Sequence, residues 1–131
     1  MDTKLSKILA EISAGELIDK ITILEIKKLK ISNKEKLIEI DKELISLSVT
    51  MNKFIPDETR ILKHKQDLKS INLKLWEIED SKRTAEKNKE FGKEFILLAR
   101  NVYKLNDERA KIKFGINNIL GSNIKEIKSY E

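Results

Sequence analysis

The chain has no cysteine, a single proline, four glycines and only 5% aromatic residues. Without cysteine there are no disulfides, no thiolate zinc site and no cysteine nucleophile. The shortage of proline, glycine and aromatic residues argues against a β-sandwich or a Rossmann fold, and 37% charged residues suit long helices with charged faces. The single histidine, His64, excludes a site of several histidines, and its place among apolar positions favours a core residue over a ligand.

Long apolar runs are absent as well. No stretch of about 18 apolar residues exists, so we expect no membrane-spanning helix. The first residues alternate charged and apolar positions and do not resemble a signal peptide, which predicts a cytoplasmic protein. The net charge is +5, but both signs are interspersed along the chain. Nucleic-acid binders usually concentrate basic residues on one face, so we do not expect nucleic-acid binding.

The 131 residues predict one domain, residues 1–131, with four helices. Ser13 and Glu16 have the spacing of a capping box that starts the first helix. Pro56 ends the second helix, and Gly121 is a natural C-cap for the fourth. Residues 3–12 fit either a helix or an extended arm. The predicted helices cover residues 14–30, 34–54, 58–87 and 94–120, followed by a short tail over 122–131.

Apolar residues recur at alternating three- and four-residue steps on the last three predicted helices, which is typical of a packing seam. On the first helix, Leu17, Ile18, Ile21, Leu24 and Leu29 are expected to face the core. The fold class is therefore all-α, an antiparallel helical bundle built around a long coiled-coil-like hairpin of the third and fourth helices. Extra apolar residues beside the seam should be buried by another element, either the first helix or another subunit. They favour a homo-oligomer. They are Leu73, Trp76, Ile96 and Leu97.

Arg109 occupies a seam position of the fourth helix, where an apolar residue is expected. The seam reads Phe95, Leu98, Val102, Leu105, Arg109, Ile112, Ile116 and Ile119. An unpaired guanidinium is costly to bury, so Arg109 must find a carboxylate, a carbonyl group or a ligand. In an antiparallel hairpin it could reach Asn72 or the carboxylates of the first helix.

Polar and aromatic side chains form stripes beside these seams. One stripe on the third helix lies next to Asp80 and consists of Asn72, Trp76, Glu79, Arg83 and Glu86. On the fourth helix, Arg100, Tyr103 and Asp107 lie on one stripe, and Asn106, Arg109, Lys113 and Asn117 lie on the next. The hairpin register would let Arg100 reach Glu79 or Asp80. Solvated structural salt bridges explain such stripes as well as a binding site does. Three of only four arginines belong to the stripes, and arginine suits carboxylate or phosphate ligands.

Four segments in order resemble a family of small all-helical bacterial proteins classed as a domain of unknown function. They are residues 13–27 (SAGELIDKITILEIK), 75–80 (LWEIED), 99–110 (ARNVYKLNDERA) and 128–130 (KSY). The resemblance covers nearly the whole chain, implies a stand-alone bacterial protein and supplies no activity. Its motifs fall on the polar stripes, and its last motif, with Lys128 and Tyr130, implies a tail that folds back onto the hairpin. The family pattern has two glutamates before this motif, where this chain has Glu126 and Ile127.

These observations leave three functions open. The first is a helical-bundle protein that binds a protein partner or an anionic small molecule. The second is an enzyme acting on phosphorylated or nucleotide-activated substrates, with sugars among the candidates. The third is a structural homo-oligomer. Catalytic residues are not assigned and no metal site is predicted, although Glu16–Asp19 and Glu77–Asp80 have a spacing that magnesium enzymes use. The predicted ligand-binding residues are Trp76, Glu79, Asp80, Arg83, Arg100, Tyr103, Asn106, Asp107, Arg109, Lys128 and Tyr130.

Overall fold

The computed structural model describes residues 4–128, which form four α-helices and contain no β-strand. The four helices are α1 (Ala14–Lys30), α2 (Lys34–Phe54), α3 (Leu62–Lys87) and α4 (Lys93–Leu120). Where one helix over 58–87 was predicted, a short 3-10 turn over Thr59–Ile61 comes first and α3 begins after it. Residues 4–12 form an irregular, exposed arm rather than a helix.

Local capping signals set the helix ends. The Ser13 hydroxyl accepts a hydrogen bond from the Glu16 amide at 3.1 Å, so Ser13 is the N-cap of α1. Asn33 caps α2 in the same way through the amide of Lys36, at 3.0 Å. Gly121 ends α4 with φ of 64°, a left-handed conformation that glycine adopts without steric cost.

The helices form an antiparallel bundle built around the hairpin of α3 and α4, as predicted. The start of α3 lies against the end of α4, where the Arg60 guanidinium donates a hydrogen bond to the carbonyl oxygen of Ile119 at 2.7 Å. α1 packs against both helices of this hairpin, and α2 packs against α1. Lys28 of α1 and Asp41 of α2 form an ion pair at 3.0 Å, consistent with antiparallel packing of these two helices.

The core lies at the end of the hairpin that α1 covers. Ile18, Ile61, Leu68 and Ile116 are completely buried there. Leu29 was predicted to face the core, but it lies in the last turn of α1 and is 76% exposed. Further along the hairpin, no residue between positions 73 and 115 is buried.

The extra apolar residues beside the seam have two different environments. Leu73 and Trp76 are half-buried, and Trp76 lies in a groove beside Ile23 and Ile26 of α1. Ile96 and Leu97 of α4 are 54% and 58% exposed, so the described chain buries neither of them. None of the described helices has the length and apolar character needed to cross a lipid bilayer.

Candidate functional site

Arg109 forms a two-point ion pair with Asp19 of α1. The Arg109 Nε donates to Asp19 Oδ1 at 3.0 Å, and one terminal guanidinium nitrogen donates to Oδ2. The Asp19 side chain is 1% exposed and that of Arg109 is 28% exposed. The expected carboxylate of the first helix is therefore Asp19, and this pair joins α1 to the seam of α4.

Two further polar side chains complete the surroundings of Asp19. The Asn72 amide of α3 donates to Asp19 Oδ1 at 2.8 Å and to the Thr22 hydroxyl at 2.9 Å. The Thr22 hydroxyl in turn donates to the backbone carbonyl of Asp19 at 2.8 Å. Asn72 contacts this carboxylate rather than Arg109 itself. Asp19 is thus held by three helices, which is how a buried carboxylate avoids a large desolvation cost.

Lys113, one turn after Arg109, connects three carboxylates. Its Nζ lies 2.6 Å from Glu16, 3.4 Å from Asp19 and 3.4 Å from Glu126 of the C-terminal segment. Burial disfavours the charged form of Lys113, but the hydrogen bond from its Nζ to Glu16 and the nearby carboxylates outweigh it and raise its pKa. The charges at this end of the hairpin therefore compensate one another.

The first turn of α1 is held against the end of α4. The Gly15 amide donates to Asn117 Oδ1 at 2.6 Å, and the Ala14 amide donates to the Ser122 hydroxyl at 3.0 Å. These contacts satisfy helix N-terminal amides that lack intrahelical partners. In a complete capping box the Glu16 carboxylate would accept a hydrogen bond from the Ser13 amide. Here it pairs with Lys113 instead.

The pKa values of Asp19 and Arg109 are shifted in the directions that favour their ion pair. Burial on its own raises the pKa of Asp19, but hydrogen bonds from Arg109 and Asn72, together with the charges of Arg109 and Lys113, lower it below its ordinary value of 3.8. The hydrogen bond to Asp19 raises the pKa of Arg109 further, against the effect of burial. Both partners therefore stay charged at neutral pH.

A groove of about 260 Å³ opens beside this cluster, between α1, α3 and α4. Arg109 and Asn72 form its inner end, and Ile23 and Ile26 form its α1 wall. The stripe predicted on α3 lines the groove along its length. Its members there are Trp76, Glu79, Asp80 and Arg83.

A second, much smaller hollow of about 40 Å³ lies on the other side of Arg109, beneath the C-terminal segment. Asn106, Lys113, Glu126 and Lys128 line it. Asn106 accepts a long hydrogen bond from Arg109, at 3.4 Å. The predicted residues Asn106, Arg109 and Lys128 are thus brought together here, and Arg109 lines both hollows.

Three predicted residues lie elsewhere. Arg100, Tyr103 and Asp107 line neither hollow, and Arg100 and Tyr103 are exposed. The expected pairing of Arg100 with Glu79 or Asp80 is absent from the part of the chain that the structure describes, where Glu79 pairs with Lys82 at 3.4 Å. Tyr130 lies outside the described residues.

Most of the buried cluster consists of residues that were not predicted to bind a ligand: Asp19, Asn72, Lys113 and Asn117. Asp19 could be recognised in the sequence, because it interrupts the apolar run of α1. Like Arg109, it is a buried charge that must find a partner. The four-residue steps from Arg109 to Lys113 and Asn117 were a second signal. Both indicate that α1 and α4 pack against each other.

The two acidic pairs considered for magnesium do not meet. Within residues 4–128, no group of three or more histidine or acidic side chains is placed to hold a metal ion. The Asp19 oxygens accept hydrogen bonds from Asn72 and Arg109.

Comparison with known proteins identifies the family of the chain. The model of a family of unknown function (DUF6165) matches residues 8–131 of the chain. The chain belongs to this family, which confirms the resemblance that the four sequence segments carry. No curated protein and no solved structure matches the chain.

Proposed function

We propose that the protein binds a small anionic molecule in the groove beside Arg109. The observation that carries the proposal is the convergence of Arg83, Arg109 and Trp76 on one groove of about 260 Å³. Ligand sites are concave and mostly apolar, with a few convergent polar groups. Trp76, Ile23 and Ile26 supply the apolar wall. The two arginines supply positive charge beside the carboxylates of Glu79 and Asp80.

Arg109 is suited to this role because its position is fixed. Asp19 holds two of its nitrogens, and the third reaches only Asn106 at 3.4 Å. A guanidinium has five N–H donors, so some remain for a ligand. Because Asp19 compensates much of this charge, the exposed Arg83, which forms no ion pair within residues 4–128, carries the larger share of the attraction for an anion.

A thermal-shift screen tests the proposal, with inorganic phosphate, pyrophosphate, ATP, glucose 6-phosphate and citrate as probes. A probe at about 100 times its dissociation constant adds about 2.7 kcal/mol of stability, enough for a clear rise in Tm. We expect Arg83→Ala and Trp76→Ala each to abolish the shift, and Arg100→Ala, on another face of α4, to keep it. If no probe shifts Tm, or if the shift survives in both groove variants, the proposal is wrong.

A second candidate, catalysis on a phosphorylated or nucleotide-activated substrate, is favoured by two carboxylates in the same groove. Glu79 and Asp80 stand beside Arg83, so an acid or base would lie near a group that binds phosphate. Turnover of a bound probe that Glu79→Gln or Asp80→Asn removes, while binding persists, would establish it. Binding without turnover would leave a binding protein.

A further inference from the structure

The side of α4 opposite its seam carries a regular stripe of its own. Its positions alternate by four and three residues, the spacing of a helix-packing seam. Four of its six side chains are exposed, including 54% of Ile96, 55% of Tyr103 and 43% of Phe114, and the side chains of Asp107 and Ala110 are half-buried. We refer to this set as the outer stripe: Ile96, Arg100, Tyr103, Asp107, Ala110 and Phe114.

The described chain leaves most of the outer stripe uncovered, although Ala110 and Phe114 at its end border the small hollow beneath the C-terminal segment. Arg100, Tyr103 and Asp107 have no hydrogen bond or ion pair within residues 4–128, whereas Arg109 on the inner side of the same helix has several. An apolar and charged surface with packing periodicity indicates a protein partner rather than plain solvation.

The outer stripe is complementary to itself when two copies of α4 run antiparallel. With the two-fold axis near position 105, Ile96 lies opposite Phe114 of the second copy. Tyr103 lies opposite Asp107 of the second copy. Arg100 lies opposite Ala110, whose small side chain leaves room for the guanidinium to reach Asp107 one turn away, about 4.5 Å along the helix. A parallel arrangement would instead place like charges together.

We propose that the outer stripe is the interface of a homodimer in which two α4 helices pack antiparallel. A two-fold axis makes every contact between two different positions occur twice. The six positions of the outer stripe form three such pairs. Opposite charges at Arg100 and Asp107 fix the register. This inference is independent of the ligand proposal, since the outer stripe contains none of the groove residues.

Charge exchange tests the interface directly. Arg100→Asp places aspartates near each other in both halves of the homodimer, and Asp107→Arg places arginines there. Each variant should dimerise at least about tenfold more weakly than the wild type, which is about 1.4 kcal/mol. An equimolar mixture of the two restores both ion pairs, so it should form a heterodimer. The double variant R100D/D107R should recover the homodimer.

Sedimentation equilibrium of the full chain, from about 5 to about 300 µM, measures these affinities. Lys42→Glu on α2 is the matched control for Arg100→Asp, because it changes the net charge by the same amount at an exposed side chain. This variant should dimerise like the wild type. Circular dichroism verifies that each variant is helical. A wild-type monomer at the highest concentration, a dimer that neither single variant weakens, or a mixture without heterodimer would each overturn the proposal.

Discussion

The two ends of the α3–α4 hairpin have the same helical geometry but different surroundings. At the base, α1 adds a third layer, and Leu68 and Ile116 are completely buried. At the distal end, from position 73 of α3 through the turn to position 108 of α4, no residue is buried. Two helices alone cannot remove a seam from water, so burial requires α1 at the base and a partner elsewhere.

The charges differ between the two ends in the same way. At the base, Arg109 and Lys113 are matched by Asp19, Glu16 and Glu126. Toward the distal end, Arg83 and Arg100 are exposed and form no ion pair within residues 4–128. Arg109 and Lys113 form ion pairs that stabilise the fold. Arg83 and Arg100 have no such structural role within the described residues, so they are better candidates for binding a ligand or a partner.

Leucine truncation should show the largest difference between the two ends. Leu68→Ala at the base removes a fully buried side chain, and we expect a loss of about 3–5 kcal/mol in the free energy of unfolding. Leu98→Ala, the same change at a half-buried distal seam position, should cost about 1 kcal/mol because less apolar area is lost. Urea unfolding measures both, and equal losses would contradict the comparison.

Removal of the buried ion pair should have the next largest effect. Arg109→Ala leaves the Asp19 carboxylate, 1% exposed, without its main partner. We expect a loss of about 3 kcal/mol, at the low end for buried pairs because Lys113 and Asn72 remain. Arg83→Ala, an exposed arginine at the distal end, is the control and should change stability by less than about 0.5 kcal/mol.

A double variant separates the pair from its packing. If the cost of Arg109→Ala comes from the uncompensated carboxylate, replacing both Arg109 and Asp19 by leucine should recover much of the lost stability. A double variant as unstable as Arg109→Ala would instead assign the cost to lost packing.

Gly15 tests how closely α1 approaches the base of the hairpin. A Cβ atom on Gly15 would overlap the Lys113 carbonyl oxygen and lie 3.0 Å from Asn117 Oδ1. Gly15→Ala should therefore cost about 1–3 kcal/mol, although alanine favours helix formation. A Cβ on Gly92, before α4, meets no atom within 4 Å, so Gly92→Ala should be nearly neutral. A stabilised Gly15→Ala would show that α1 packs more loosely.

Sequence periodicity predicted the fold class, because seam spacing and caps such as Ser13 and Gly121 are local signals. It also identified Arg109 as a buried charge, since one seam position was wrong for an apolar helix. It did not select Asp19 as the partner or separate Arg100 from the groove. Those facts depend on which face α1 covers, and helix rotation about the hairpin is set by tertiary contacts such as the close approach at Gly15.

Lowering the pH should destabilise the base of the hairpin through Asp19 and leave the distal end unaffected by this group. This is the smallest expected effect, because burial raises the pKa of Asp19 and so opposes the ion pairs. The folded state lowers the pKa of Asp19 below its ordinary 3.8. The associated stability is therefore fully present above about pH 4 and is lost as the pH falls through the lowered value. Asp19→Asn keeps the shape but cannot titrate, so its free energy of unfolding should fall less steeply below pH 4 than that of the wild type. Urea unfolding from about pH 5 to about pH 3 measures both slopes, and equal slopes would show that Asp19 does not gain from its partners in the folded state.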